Sequence, residues 1–476
     1  MVIYLLLIFE VDPILIFGFV YIKRIGCFLG LFCTNPLNNG GITMIKALLS
    51  TSAFAGLALF AMTSSPTYGE VLTSGAIAPS LKIDGFTTAN TYFINQQQRQ
   101  NGKGGLQPHV SVDVSNIFFT IMGTSASGID YMYRVIFETI PGTGNIIDQN
   151  YVQFKSKIGT LQVGNTVGPE DTMIWDGGKI IGGTGAFDGG FSNVYNTSAG
   201  VMRGNDNVGD TGTATKIVYY SPELMGWTFG IAYTPSTAHR GDGKLDNMTG
   251  GSGKLPGNRG LFDYAGHQPY DLRNIAIGLI YRKEIGKWNI TLSGAGITAK
   301  SYFYNSRING AASSGRVSFQ NTKAYQLGFV IGYGDFRFGG GYLDNGKSHL
   351  PRTANFTYGA DAGINLTSMH NGNAGHAWNI AAGYTMGAYQ FATAYQRTNR
   401  NTGNLQKAHS DFYSATVDVT PLNGLKVYTE VDYIRSRSND TAVARETAVL
   451  NATKSANLGT KNNSGLLGIV GTKISF

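Results

Sequence analysis

The sequence is poor in cysteine, proline and charge. Its only cysteines are Cys27 and Cys33, both near the N-terminus. The chain beyond them has no thiol for a disulfide framework, a nucleophile or a cysteine-based metal site. Proline numbers 13 among 476 residues. Charged residues make up 14%, against about 25% in an average protein. With 12% aromatics, this composition excludes an intrinsically disordered chain. The net charge of +8 contains no dense lysine and arginine run, which argues against nucleic acid as a partner. After Gly69 no run of eighteen apolar residues occurs, so no transmembrane helix is expected.

Catalytic and ligand-binding patterns are missing as well. The histidines at 109, 239, 267, 349, 370, 376 and 409 fall in or beside expected loops, without metal-ligand spacing. "IIGGTGAFDGG" lacks the GKS/T ending of a phosphate loop. "NDNVGDTG" and "RGDGKLDN" lack the closing glutamate of a calcium loop. No catalytic residue, metal site or cofactor is therefore assigned, and the chain is not expected to be an enzyme.

What is abundant is glycine, at 65 residues, with 26 tyrosines and 26 phenylalanines. Together with threonine and asparagine, these residues favour many strands joined by many turns. Near the N-terminus, "MIKALLSTSAFAGLALFAMTSSPTYG" (44–69) has the parts of a secretory signal peptide: Lys46, an apolar stretch, then small residues at Thr67 and Gly69. Residues 1–43 are expected to be an upstream extension ahead of a true start at Met44, leaving 70–476 as the mature domain. Its charge is +7, from 34 basic and 27 acidic residues.

The mature part alternates with period two. In "GIDYMYRVIF", Ile129, Tyr131, Tyr133, Val135 and Phe137 share one face, and Asp130, Met132, Arg134 and Ile136 the other. "GLKVYTEVDY" sets Leu425, Val427, Thr429, Val431 and Tyr433 against Lys426, Tyr428, Glu430 and Asp432. About sixteen such strands are expected, from 80–94 through 464–476. Eight long connections alternate with seven short ones, among them "SPELMG", "EIGK" and "MGA". Every short turn then falls at one end and every long loop at the other. Short periplasmic turns, long external loops and an apolar band with aromatic borders characterise an outer-membrane barrel. Such a barrel must close, because lipid cannot satisfy a bare strand edge. The expected fold is thus all-β, a sixteen-stranded antiparallel transmembrane barrel. The chain ends in "GLLGIVGTKISF", whose terminal Phe476 resembles the signal read by the barrel-assembly machinery.

Three stretches carry a family resemblance: "SNIFFTIMGTSASGIDYMYRVIFE", "NYVQFKSKIGTLQVGN" and the following "TVGPEDTMIWDGGKIIGGTGAFDGG". With these, residues 78–476 resemble the Gram-negative general porins, sixteen-stranded and trimeric, of the alphaproteobacterial type. The resemblance implies a homotrimer in the outer membrane, in contact with its lipid and lipopolysaccharide. It also implies a third external loop that folds inward and narrows the pore. Acidic candidates on that loop are Glu170, Asp171, Asp176 and Asp188. Opposing basic candidates on polar strand faces are Lys82, Arg134, Lys155 and Lys473.

The leading functional expectation is a water-filled channel for passive diffusion of small polar solutes. Two alternatives stand beside it: a barrel that acts mainly as a surface-binding or structural protein, and a substrate-specific channel. Solute and ion preference stay open, since the net +7 favours anions and the loop acids oppose them.

Overall fold

The computed structural model describes residues 4–11, 14–21, 77–97, 108–139, 147–195, 210–237, 270–308, 311–350, 352, 357–358, 364–365, 372–401, 407–438 and 462–476. The chain divides into two units, Met1–Val71 and Leu72–Phe476. In the first, Tyr4–Val11 and Ile14–Tyr21 pair as an antiparallel hairpin. The expected signal peptide at 44–69 lies outside the described residues.

The second unit is a closed antiparallel barrel. Its wall consists of β1 (Ile77–Gln96), β2 (His109–Thr124), β3 (Asp130–Glu138), β4 (Ile147–Ser156), β5 (Gly159–Asn165), β6 (Thr215–Tyr220), β7 (Trp227–Ser236), β8 (Tyr270–Ile285), β9 (Trp288–Ile308), β10 (Thr322–Tyr333), β11 (Phe336–Asp344), β12 (Asn373–Met386), β13 (Tyr389–Asn401), β14 (Lys407–Leu422), β15 (Leu425–Ser438) and β16 (Asn462–Ser475). The expected sixteen strands are all present, each within a few residues of its expected bounds. A further strand, Ala311–Ser318, folds back on the last turns of β9 above its pairing with β10.

Closure joins the two ends of the unit. β16 pairs with β1 from Gly465↔Gln96 to Ser475↔Phe86. The backbone of Phe476 then exchanges two hydrogen bonds with Gly85, at 3.0 and 3.1 Å. The short connections need glycine: in three two-residue turns Gly286, Gly334 and Gly387 have φ of 60°, 57° and 59°. In each the glycine is the first of the two central residues, the position where a type II′ hairpin turn requires a positive φ, which glycine adopts without strain.

The outward face is apolar, with Leu279, Leu292, Leu327 and Val431 all exposed. In a membrane this face meets hydrocarbon. Among the described residues no helix is long and apolar enough to cross a membrane; here the strands do so. Two outward rows of aromatics border the apolar band. Near the short turns, Trp227 packs on Tyr281, Trp288 on Tyr333 and Phe336 on Tyr384, at 4.5–4.8 Å between centroids. Toward the long loops runs a second row, Trp378, Tyr395, Tyr413 and Tyr433, with successive centroids 5.0, 4.7 and 6.2 Å apart. Tyrosine and tryptophan, apolar in body and polar at the tip, settle at the two membrane interfaces.

Candidate functional site

The connection after β5 turns into the barrel instead of leaving it. Gly168 caps a single helical turn, Pro169–Thr172, with proline at its start. Three short 3-10 turns follow at Gly177–Lys179, Ala186–Asp188 and Gly190–Asn193. A row of side-chain and backbone contacts fixes this path against the inner wall.

The helical turn rests on β7 and β8, where a side chain in place of Gly230 or Gly278 would collide with Pro169 and Met173. On β9, Ser293 Oγ accepts from Trp175 N–H at 2.9 Å. Asp176 Oδ2 accepts from Gln326 on β10 at 3.3 Å and from Asn379 on β12 at 2.9 Å. Ile180 fills the hollow left by Gly339 and Gly383, and its carbonyl accepts from Gln390 on β13 at 2.9 Å. Gly182 and Gly183 donate to Thr416 and Asp418 on β14 at 3.1 and 2.8 Å. Thr184 donates through N–H and hydroxyl to Glu430 on β15 at 2.6 and 2.8 Å. Phe187 and Phe191 pack on Phe412. Tyr195 donates to the Asn463 carbonyl on β16 at 2.9 Å. Gln96 on β1 donates to the Val194 carbonyl at 3.0 Å, and Asn193 donates to Asp113 on β2 at 3.0 Å. The loop thus follows the inner wall from β7 round to β2. The two ends of the loop are tied by the buried Lys216, whose ammonium donates to the carbonyls of Thr166 and Gly212.

The four loop acids divide by burial. Glu170 and Asp176 are buried, at 4% and 3% exposure. Glu170 accepts from the backbone and hydroxyl of Thr211 on the returning limb. Asp176 is held by Gln326, Asn379 and the Gly178 N–H. Asp171 and Asp188 are exposed, as is Lys179 between them. Asp210, on the returning limb, has its carboxyl pushed up to about 7 by burial and by the nearby charges of Glu170 and Asp171.

The four basic candidates all lie on inward faces but do not form one cluster. Lys82 is exposed near the short-turn end of β1, paired with Asp84 at 2.7 Å. Lys473 lies over the Phe86 ring at 4.1 Å. Arg134 lies over Phe118 at 4.5 Å, and Lys155 is exposed on the neighbouring strand. Arg134 and Lys155 occupy β3 and β4, outside the stretch of wall that holds the described loop. Sequence reasoning passed over two further cations. Lys426 sits beside Lys473 in register and is paired with Asp418 at 2.9 Å. Arg282 covers the ring of Trp175 on the loop at 5.1 Å. Strand parity places both on polar faces, so the signal was in the alternation.

Comparison with known proteins bears on this arrangement. A family model described as Gram-negative porin matches residues 50–439. An uncharacterized protein of Rickettsia prowazekii (strain Madrid E) is 23% identical over 367 residues, covering 69% of this chain and 76% of its own length. One from Rickettsia typhi (strain ATCC VR-144 / Wilmington) is 24% identical over 364 residues, with the same shares. Among solved structures, the anion-selective porin from Comamonas acidovorans is similar with a TM-score of 0.48 at 12% identity, over 84% of this chain and 100% of that one.

Proposed function

The chain belongs to the Gram-negative porin family, and on that premise we propose where in the molecule selection takes place. As a porin it lies in the outer membrane and passes solutes by passive diffusion. A sixteen-stranded barrel is wide enough for an aqueous channel. The narrowest ring lies between the inward loop and the wall of β3 to β5. The observation that carries this reading is the attachment of the loop by hydrogen bonds to strands from β9 round to β2.

In that ring, the exposed Asp171 and Asp188 supply negative charge, and Arg134 and Lys155 oppose them from the wall. A low-dielectric wall concentrates such a field on passing ions. Glu170 and Asp176 act differently: they fix the path of the loop and so the width of the passage. Transport follows the solute gradient and involves no covalent step, so the chain is no enzyme. Preference is for small hydrophilic solutes, with ions sorted by the balance of these charges.

The protein assembles as a homotrimer. In support, β5 has 7 residues and β6 has 6, fewer than the ~9–11 that a tilted membrane-spanning strand needs. Protein from a neighbouring subunit, not lipid, covers that section of wall. Phe476 acts as the recognition signal for barrel assembly. Single-channel recording in a planar bilayer tests the main claim. Stepwise conductance with a reversal potential sensitive to Asp171 and Asp188 is expected, and a folded protein that conducts nothing would refute it.

A further inference from the structure

The inner face of β1 to β3 carries apolar surface as well as charge. The loop is anchored on these strands at Gln96 and Asp113. From those points toward the short turns, Phe86 on β1 and Phe118 on β2 face the lumen, both half-buried. Their ring centroids are 6.0 Å apart and their planes cross at 64°. Ile136 on β3 stands in register beside Phe118, and the exposed Met122 follows on β2 toward the turn. By strand parity all four share the inner face with Lys82, Arg134 and Lys473. Apolar side chains grouped on a wall that faces water mark a surface that binds something.

The cations here are held in an unusual way. Lys473 Nζ lies 4.1 Å from the Phe86 centroid, and the guanidinium carbon of Arg134 lies 4.5 Å from that of Phe118. Among the described residues neither forms an ion pair, and the buried Nε–H of Arg134 has no acceptor. Their neighbours Lys82 and Lys426 are paired with Asp84 and Asp418. A ring face attracts a cation through its quadrupole and does not neutralise it. The charges of Arg134 and Lys473 therefore stay available to an anion, above an apolar floor.

A bare charge sorts solutes by sign alone. A charge beside an apolar strip also favours the anion that has apolar surface to remove from water. The planar fork of arginine matches a carboxylate. We propose that this strip is a solute subsite for small carboxylates with an apolar body, aromatic acids above all. Arg134 takes the carboxylate, Lys473 adds a second positive charge, and Phe86, Phe118 and Ile136 receive the body. The assignment rests on the channel reading above and gives it a substrate class.

Conductance of the full-length protein in a planar bilayer, titrated with benzoate, acetate or benzylammonium in potassium chloride, tests the subsite. Benzoate should reach half-block at a concentration roughly two- to tenfold below that of acetate, the range for one aromatic contact. Benzylammonium should not block. Phe86→Thr with Phe118→Thr should bring benzoate to the acetate value, and Arg134→Gln should raise the half-block concentration of both acids. Where the double variant fails to fold, judged by heat-modifiable migration, Phe118→Thr alone should shift benzoate the same way by less. Equal block by benzoate and acetate, block by benzylammonium, or no shift in the threonine or Arg134→Gln variants would overturn the subsite. Saturation-transfer NMR in a neutral detergent reads benzoate contact without a channel. Transfer that is lost in the threonine variant, from a protein that conducts nothing, would support the subsite and count against the porin reading. Equal transfer in the two proteins would overturn the subsite whether or not they conduct.

Discussion

The Asn379 side chain, on β12, donates a 2.9 Å hydrogen bond to the carboxylate of Asp176, 203 residues earlier and on the inward loop. The same amide accepts from the Gly177 N–H at 3.0 Å. One wall residue thus holds the loop by two bonds where it crosses β11 and β12. Asn379→Leu should leave the barrel folded and weaken docking by about 1.5–3 kcal/mol, the range for hydrogen bonds to a charged group. The equilibrium constant for docking then falls roughly tenfold or more. Single-channel records should show higher or fluctuating conductance, and a trace matching the unsubstituted protein would remove Asn379 from this role.

Close approach of backbone to backbone is required at Gly328 on β10. A Cβ there would collide with the Trp175 carbonyl. Gly328→Val should push the loop off the wall and admit larger sugars in a liposome-swelling assay. Gly468, on β16, has nothing within 4 Å of the same position, so Gly468→Ala is the matched control.

Burial separates the roles of the loop acids. Asp171→Asn with Asp188→Asn should move the reversal potential in a salt gradient toward anions without lowering thermal stability. Glu170→Gln should instead lower thermal stability and leave the reversal potential nearly unchanged, since Glu170 is 4% exposed and accepts from Thr211. Its cost is about 1–3 kcal/mol, read as a lower melting temperature. An equal selectivity shift from all three substitutions would contradict the division.

Asp210 gives the site a pH dependence. Its carboxyl is pushed up from 3.8 to about 7, first by burial and then by Glu170 and Asp171. The docked loop therefore favours the protonated form. Its contribution to docking is complete below about pH 3.8, declines as pH rises toward about 7 and is level above that. Cation preference should grow over the upper part of this window as the charge appears, and Asp210→Asn should flatten the curve. Reversal potentials from pH 5 to 8.5 check this.

Removing Phe476 deletes the residue whose backbone pairs with Gly85 at the seam. The expected result is less folded protein in the outer membrane, read from heat-modifiable migration on a gel. Phe476→Leu keeps those backbone bonds and tests the aromatic ring separately.

Much of the barrel was legible because period two records burial directly. Arg134, Lys155 and Lys473 lie on the inner face as parity requires, and all sixteen strands lie close to their expected places. The course of the loop was not legible. Glycine within a strand suggests a bulge or a turn, yet Gly278, Gly328 and Gly383 mark where a distant segment lies on the wall. Likewise "PEDT" reads as one acidic pair, although Glu170 faces Thr211 and Asp171 faces solvent. Alternation reports which side of a strand a residue takes. It cannot report that a loop from elsewhere will cover that side.

The partners of the loop also set a sequence of events. Thr184 bonds to Glu430, 246 residues later, and Tyr195 to Asn463, 268 residues later. Those acceptors are on the last two strands of the barrel. Contacts this distant in the chain form slowly, after large loop-closure entropies have been met. The final anchorage of the loop must therefore await the arrival of β15 and β16, and the closing of the seam and the anchoring of the loop are completed together.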